Sequence, residues 1–154
     1  MLSVEQLNFI RESNQIEGIL REPTEAEIEE FARFMIQEQL TLGDVQQFVS
    51  VYQPEAVLRD QPGLNVRVGN YFPPLGDITI RTRLEDILTD VNFCVKESTH
   101  TERNAYALHQ RYESLHPFTD CNGRSGRMVW MWMMREAPLG FLHTWYYQSL
   151  SAGI

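Results

Sequence analysis

The sequence is poor in the residues that mark several classes of protein. Its two cysteines, Cys94 and Cys121, are too few for a disulfide framework and are typical of a reducing compartment. Lysine and arginine number 13 against 21 acidic residues, and this net charge of -8 argues against a nucleic-acid partner. No apolar run approaches membrane-spanning length, and the charged N-terminal segment does not resemble a signal peptide. We therefore expect a soluble cytoplasmic protein with no membrane partner.

The residues that are present predict a compact, mainly α fold. Hydrophobic residues make up 43% of the 154 positions, which is enough for one domain over 1–154. A capping box of Ser3 with Gln6 opens the first predicted helix, which should end near Glu17 because Gly18 follows. Two further helices are predicted to begin at Thr24 and Thr41, and two more to cover about 84–91 and 105–115. A fifth is predicted to run from 123 to a break at Pro138, with its apolar part 130–134 buried centrally. A short last helix is predicted over about 143–150.

The stretch 62–76 has a different pattern. Val66 and Val68 alternate with polar residues, Gly69-Asn70 is a turn signal, and prolines stand on both sides. This pattern predicts a short hairpin or flap, the only β element in the chain. On composition alone, an ordinary surface hairpin is an equally good interpretation.

The segment 116–127, HPFTDCNGRSGR, carries the residues with chemical potential. It lies at a predicted loop-to-helix junction, and a helix N-terminus binds phosphate through its free N–H groups and partial positive charge. Asn122 and Gly123 tolerate the positive φ angles that turn successive amides inward. Arg124 and Arg127, three residues apart on one helix, can donate to phosphate oxygens. The segment therefore predicts a phosphate cradle.

Two other side chains of this segment complete the set needed for nucleotide chemistry. Asp120 could hold Mg²⁺, which binds through few protein carboxylates and keeps most of its waters. His116 could accept a proton near neutral pH. Each residue taken singly is as well explained by a structural turn or a solvated charge, and only their combination predicts transfer from a nucleoside triphosphate.

The order of these residues resembles the motif of the Fic family, His-Pro-Phe-x-Asp/Glu-Gly-Asn-Gly-Arg-x-x-Arg. The sequence departs from that motif at Cys121, where the family usually has glycine. The Asn-Gly-Arg portion is similar to the AMP-transferring branch rather than the kinase-like Doc branch, which typically has Asn-Lys-Arg. The positions that match are His116, Pro117, Phe118, Asp120, Asn122, Gly123, Arg124 and Arg127.

The resemblance implies a role for each matched residue in a protein adenylyltransferase that uses ATP and Mg²⁺. His116 would deprotonate a target hydroxyl, which then attacks the α-phosphorus, and Asp120 would bind Mg²⁺. The amides of Cys121, Asn122 and Gly123, with the Asn122 side chain, would hold the phosphate chain. Arg124 and Arg127 would stabilise the β- and γ-phosphates. The expected partners are ATP and a protein with an acceptor hydroxyl, a second copy of this chain in a homo-oligomer included.

Three further segments resemble parts of the family. The region 62–76 is similar to a flap that docks an extended target segment by strand addition. Residues 13–18, SNQIEG, resemble an inhibitory motif within a helix over 1–18, in which Ser13 and Glu17 act and Glu17 pairs with Arg127. Residues 142–150, with Tyr146 and Tyr147, resemble a helix that borders adenine. The docking residues of the flap would be Val66, Arg67, Val68, Gly69, Asn70 and Tyr71.

Two alternative functions remain open from the sequence. Glu17 could position a water molecule, so that the protein removes AMP from a modified partner. Cys121 could instead make the chain a weak nucleotide-binding regulatory module, because a cysteine with positive φ costs about 1–2 kcal/mol. As for the Cys121 thiol, arginines and a helix N-terminus would lower its pKa and make it reactive, whereas most cysteines are small apolar fillers.

Overall fold

Helices account for most of the described structure. The computed structural model describes residues 2–97 and 102–135. The predicted mainly α class is confirmed. In these residues the chain forms α1 (Val4–Ile16), α2 (Glu25–Met35), α3 (Leu42–Tyr52), α4 (Ile78–Lys96), α5 (Glu102–Leu115) and α6 (Asn122–Met133).

Local capping determines where the first three helices begin. The predicted box of Ser3 with Gln6 is formed, and Thr24 and Thr41, the predicted starts of the next two helices, cap α2 and α3 in the same way. Each side-chain oxygen accepts a hydrogen bond from an N–H group that would otherwise lack a partner. These starts are therefore set by residues three positions apart in the sequence.

The end of α1 is also set locally. Gly18 has a φ of +80°, which a residue with a side chain rarely adopts. The N–H of Ile19 donates to the carbonyl of Asn14, and the N–H of Gly18 donates to that of Gln15. This pattern is a Schellman motif, and it confirms Gly18 as the stop. Glu17 is consequently the last residue of the helical path.

Helix α6 lies at the centre of the fold, as predicted. It packs against α1, α2, α3 and α5. Trp130 and Trp132 have no exposed surface. An apolar helix surrounded on all sides is a rigid support for whatever its N-terminus carries. The predicted break at Pro138 and the predicted helix over 143–150, with Tyr146 and Tyr147, lie outside the described residues.

The flap is less regular than predicted. Within 62–76, Val68 and Tyr71 form one antiparallel bridge around a two-residue turn, and Gly69 has a φ of +57°. Pro73 and Pro74 have no N–H to donate, so a ladder cannot continue past the turn. The predicted hairpin is therefore a tight turn rather than a pair of strands.

A second bridge, between Leu58 and Phe118, shows that the flap is not the only β contact. That part of the prediction was wrong. The bridge joins two segments 60 positions apart, so no local pattern signals it.

None of the helices in the described part of the chain is both long enough and apolar enough to cross a membrane.

Candidate active site

A cavity of about 730 Å³ opens at the N-terminus of α6. Its walls come from the end of α1, the flap, the end of α5 and the segment 116–127. It brings together ten residues that the sequence predicts for the site: Glu17, Val66, Arg67, Val68, His116, Asp120, Cys121, Asn122, Gly123 and Arg127. Arg124, Gly69, Asn70 and Tyr71 do not line it.

His116 follows directly after α5 and lines the cavity. Its Nδ1 lies 3.2 Å from the carbonyl oxygen of Glu113. A carbonyl only accepts, so Nδ1 carries the hydrogen and Nε2 keeps a free lone pair. Burial lowers the pKa of His116, and the nearby charge of Arg59 lowers it further. The hydrogen bond to the Glu113 carbonyl acts in the opposite direction and does not outweigh them. The imidazole is therefore neutral at neutral pH.

Asn122 fixes the loop rather than leaving its side chain free. Its Oδ1 accepts from the N–H of Phe118 at 2.9 Å, and its Nδ2 donates to the carbonyl of the same residue at 2.8 Å. Phe118 is buried in the core, so the loop is anchored at both its backbone and its side chain. The predicted contact of the Asn122 side chain with phosphate would require breaking these bonds.

The start of α6 has the features of an anion-binding site. Cys121 is the N-cap, and no side chain caps the first turn. The N–H groups of this turn therefore remain available toward the cavity. A Cβ on Gly123 would lie 2.7 Å from Oε1 of Glu17 and 3.0 Å from Nη1 of Arg127, so a side chain here would have to displace the ends of these two side chains. These features fit a phosphate group.

Cys121 combines a left-handed backbone with a buried side chain. Its φ is +69° and its side chain belongs to the core. Burial raises the pKa of Cys121 to about 12, and the charge of Arg124 does not reverse the effect. The expected lowering of the thiol pKa is therefore wrong, because desolvation outweighs the neighbouring arginines. The small apolar filler is the better description.

Arg127 is held by the first helix. Its Nε donates to Oγ of Ser13 at 2.9 Å, and its Nη2 donates to the Ser13 carbonyl at 3.0 Å. Nη2 also lies 3.4 Å from Oε1 of Glu17. Arg127 and Ser13 are buried, while the Glu17 side chain is 36% exposed. The residues expected as an inhibitory set thus meet, but through one long carboxylate contact and two bonds to serine.

Arg124 points away from the cavity. Its Nη1 donates to the carbonyl of Tyr52 at 3.1 Å and its Nη2 to Oε1 of Gln53 at 3.0 Å. Tyr52 and Gln53 form the C-terminal end of α3, whose carbonyls lack helical partners. Arg124 therefore joins α6 to α3, and its position disagrees with the predicted contact to phosphate.

The flap turns only part of its predicted docking surface toward the site. Val66, Arg67 and Val68 border the cavity. The hydroxyl of Tyr71 donates to the carbonyl of Ser114 at 2.7 Å, outside the cavity. The half of the turn before Gly69 thus faces the site, and the half after it anchors the turn to α5.

Glu113 is a cavity residue that the sequence reasoning missed. Its Oε1 lies 3.6 Å from Nε2 of the buried His109. Burial raises the pKa of Glu113 to about 8, against the opposing charge of Arg127. The signal was its position in the last turn of the predicted helix, three residues before His116. Its burial against α6 could not be read from the sequence.

Asp120 offers an exposed carboxylate for a metal ion. Oδ1 of Asp120 accepts from the N–H of Cys121 at 2.7 Å. Within 2–97 and 102–135 there is no cluster of three or more histidine, cysteine or acidic residues suited to a metal. A single carboxylate fits Mg²⁺ that is held mainly by phosphate oxygens and water, and does not fit a cation bound by the protein alone.

Together, an uncapped helix N-terminus, a neutral histidine and an exposed carboxylate form a site whose chemistry suits a phosphate group. A model of the Fic/DOC family matches residues 24–134, which is more than half of the chain. The chain belongs to the Fic/DOC family. The match includes α2 to α6 and the segment 116–127 but not α1. Neither the comparison with curated proteins nor that with solved structures finds a match.

Proposed function

We propose that this protein is an adenylyltransferase that moves AMP from ATP to a hydroxyl side chain of another protein. The observation that carries the proposal is His116, which keeps a free lone pair on Nε2 and lines the cavity at the uncapped N-terminus of α6. A neutral base beside an anion-binding helix end is the arrangement that attack of a hydroxyl on a phosphate requires.

The reaction follows from these positions. The target hydroxyl oxygen bonds to the α-phosphorus while its proton passes to Nε2 of His116, and the bond to pyrophosphate breaks. The first-turn amides of α6 bind the departing phosphates, and Arg127 adds positive charge once α1 releases it. Asp120 would hold Mg²⁺, which neutralises phosphate charge when bound.

The flap provides the surface for the target. Val66, Arg67 and Val68 border the cavity, and the only ladder hydrogen bonds in this turn join Val68 with Tyr71. In the described part of the chain the main-chain groups of Val66 and Arg67 form no backbone hydrogen bond, so an extended peptide could pair with them as an added strand. Such pairing would place a serine, threonine or tyrosine of the target beside His116.

Incubation with labelled ATP, Mg²⁺ and a cell lysate tests the proposal. His116→Ala should lower protein labelling by roughly 10²–10⁴-fold, the usual contribution of a general base, without changing the unfolding temperature. Asp120→Ala should weaken ATP binding only when Mg²⁺ is present. Labelling that persists undiminished in His116→Ala would contradict the assignment, and ATP binding without labelling by either the wild type or Glu17→Gly would instead favour the regulatory module.

The partial exposure of Glu17 favours a second candidate, removal of AMP from a modified protein. Its carboxylate borders the cavity and has one long contact with Arg127, which leaves it able to orient a water molecule. Incubation with an AMP-labelled target distinguishes the two reactions. Release of AMP by the wild type and its loss in Glu17→Gln would identify this second activity.

A further inference from the structure

Arg59 is a fully buried arginine whose only described hydrogen-bond acceptors are main-chain carbonyls. Its Nε donates to the main-chain carbonyl of His116 at 2.7 Å, and its Nη2 donates to that of Leu115 at 2.9 Å. Its Nη1 donates to Leu64 at 3.0 Å and to Pro74 at 2.9 Å. No acidic side chain in the described part of the chain forms an ion pair with it, so the hydrogen bonds to these carbonyls are what offset the desolvation of its charge.

The four carbonyls belong to two different parts of the site. Leu64 and Pro74 stand at the two ends of the flap, on either side of the residues that border the cavity. Leu115 and His116 stand at the end of α5. One guanidinium therefore joins the base of the flap to the main chain of the proposed catalytic base.

The backbone around Arg59 reinforces this connection. Its own N–H donates to the carbonyl of Pro117 at 2.9 Å, and the N–H of Thr119 donates to that of Val57 at 2.9 Å. His116 has a φ of +52°, a conformation that costs free energy unless the surroundings hold it. The hydrogen bond from Nε of Arg59 to the His116 carbonyl helps to maintain this conformation.

Only arginine suits this position. A buried unpaired cation is costly, so the contacts it makes must outweigh its desolvation. The planar guanidinium donates in several fixed directions and can reach both segments at once, whereas the lysine ammonium is a compact charge at the end of a flexible chain. Lysine would keep the charge and lose the geometry.

We propose that Arg59 is a positioning residue that fixes the flap and His116 as one unit, so that a docked hydroxyl meets the base at the correct distance. The proposal rests on the proposed function. Misplacement of a reacting group by about 1 Å can cost on the order of 10²-fold in rate. Arg59 does not line the cavity, so its loss should affect turnover rather than ATP binding.

Arg59 also acts on His116 through its charge. Burial and the charge of Arg59 lower the pKa of His116, while Glu17, Asp120 and the carbonyl of Glu113 act in the opposite direction. Loss of the charge at position 59 should therefore raise the pKa of the imidazole. A residue with a purely structural role would not have this effect.

Hydrogen exchange in the protein without nucleotide tests the connection. We would compare the wild type with Arg59→Lys, Arg59→Met and the control Arg81→Met, whose arginine pairs with Asp60 nearby. In Arg59→Lys, exchange at the flap amides of Leu64 and Tyr71 and at Thr119 should rise together by at least about tenfold. Exchange in α3 and throughout Arg81→Met should stay at the wild-type level.

The imidazole titration of His116, followed by NMR and assigned by its absence in His116→Ala, separates charge from geometry. The pKa should stay near the wild-type value in Arg59→Lys and rise in Arg59→Met. If Arg59→Met does not fold, exchange and turnover in Arg59→Lys decide. Faster exchange in the flap with an unchanged Thr119 would overturn the proposal.

Turnover gives the functional arm of the test. In Arg59→Lys, kcat for AMP transfer should fall at least about tenfold while the Kd for ATP stays within about threefold. An unchanged kcat in this variant would overturn the positioning role. Because exchange and titration need no substrate, absence of transfer activity in both the wild type and Glu17→Gly would refute the proposed function and leave the link between flap and His116 separately measurable.

Discussion

At the scale of single residues, Cys121 carries two opposing effects. Its left-handed backbone costs about 1–2 kcal/mol for any residue with a side chain, and its buried thiol contributes packing. Glycine would remove the first effect and lose the second. Alanine would retain the backbone cost and also lose most of the packing.

Replacement of Cys121 by glycine and by alanine separates these effects. Cys121→Gly should be more stable than Cys121→Ala by about 1 kcal/mol, the reverse of their order inside a helix. Urea unfolding of both variants measures the difference. We expect Cys121→Gly to retain or raise AMP transfer, because the first turn of α6 keeps its conformation. An alanine variant more stable than the glycine variant would show that the backbone carries no such cost.

At the scale of elements, α1 connects to α6 through Arg127. The arginine donates to Oγ and to the carbonyl of Ser13, and contacts Glu17 at 3.4 Å. While it is held in this way, the guanidinium cannot turn fully toward a γ-phosphate. The Glu17 carboxylate also places negative charge beside Gly123, where the phosphates would lie. Both effects support α1 as a brake on the proposed transfer.

Glu17→Gly should raise AMP transfer, self-modification included, by at least about tenfold, which corresponds to 1.4 kcal/mol in the barrier. Ser13 retains its two bonds in this variant, so α1 should stay in place. The double variant with Arg127→Ala should cancel the gain, because the same arginine would serve ATP. The measurement is the initial rate of labelling by the wild type, by Glu17→Gly, by Arg127→Ala and by the double variant. Equal rates in Glu17→Gly and wild type at saturating ATP and Mg²⁺ would exclude the brake.

The elements that the sequence predicts well are those with local causes. Ser3, Thr24 and Thr41 begin their helices through partners three residues away, and Gly18 ends α1 through its own φ. The segment 116–127 likewise supplies most of the predicted residues that line the cavity, although Arg124 does not. Such features need no knowledge of the remaining chain.

The features that the sequence does not predict depend on distant partners. The direction of Arg124 is decided by carbonyl and amide groups of α3 about 70 positions away, and that of Asn122 by the loop it closes. The burial that raises the pKa of Cys121 comes from the assembled core. The predicted hairpin is not formed, because the strand pairing cannot continue beyond the single Val68–Tyr71 bridge through Pro73 and Pro74, which have no N–H to donate. Spacing along the chain contains none of this information.

At the scale of the whole molecule, the site depends on contacts across the full described length. Ser13 and Arg127 are 114 positions apart, and Arg59 reaches both the flap and the end of α5. The family match begins at residue 24, so α1 is an addition to the part of the chain that defines the family. The proposed regulation therefore lies in a segment separate from the proposed chemistry.

Two buried groups on α5 should make the stability of the folded protein depend on pH. Burial lowers the pKa of His109 from 6.5 to about 3 and raises that of Glu113 from 4.5 to about 8. Between pH 3 and 6.5 the unfolded chain binds a proton at His109 that the folded chain does not, so stability rises with pH. Between pH 4.5 and 8 the folded chain keeps a proton at Glu113 that the unfolded chain has lost, so stability falls with pH.

The two effects oppose each other from pH 4.5 to 6.5, and only that of Glu113 remains from 6.5 to 8. Stability should therefore fall over this upper range, by at most about 1.4 kcal/mol per pH unit. Glu113→Gln cannot ionise and should remove that fall, while the exposed control Glu85→Gln should keep it. Urea unfolding at pH 6.5 and pH 8 measures both, and contributions shared by the variants cancel in the difference. The same pH dependence in Glu113→Gln and wild type would mean that Glu113 is already ionised in the folded protein, and that Arg127 outweighs burial.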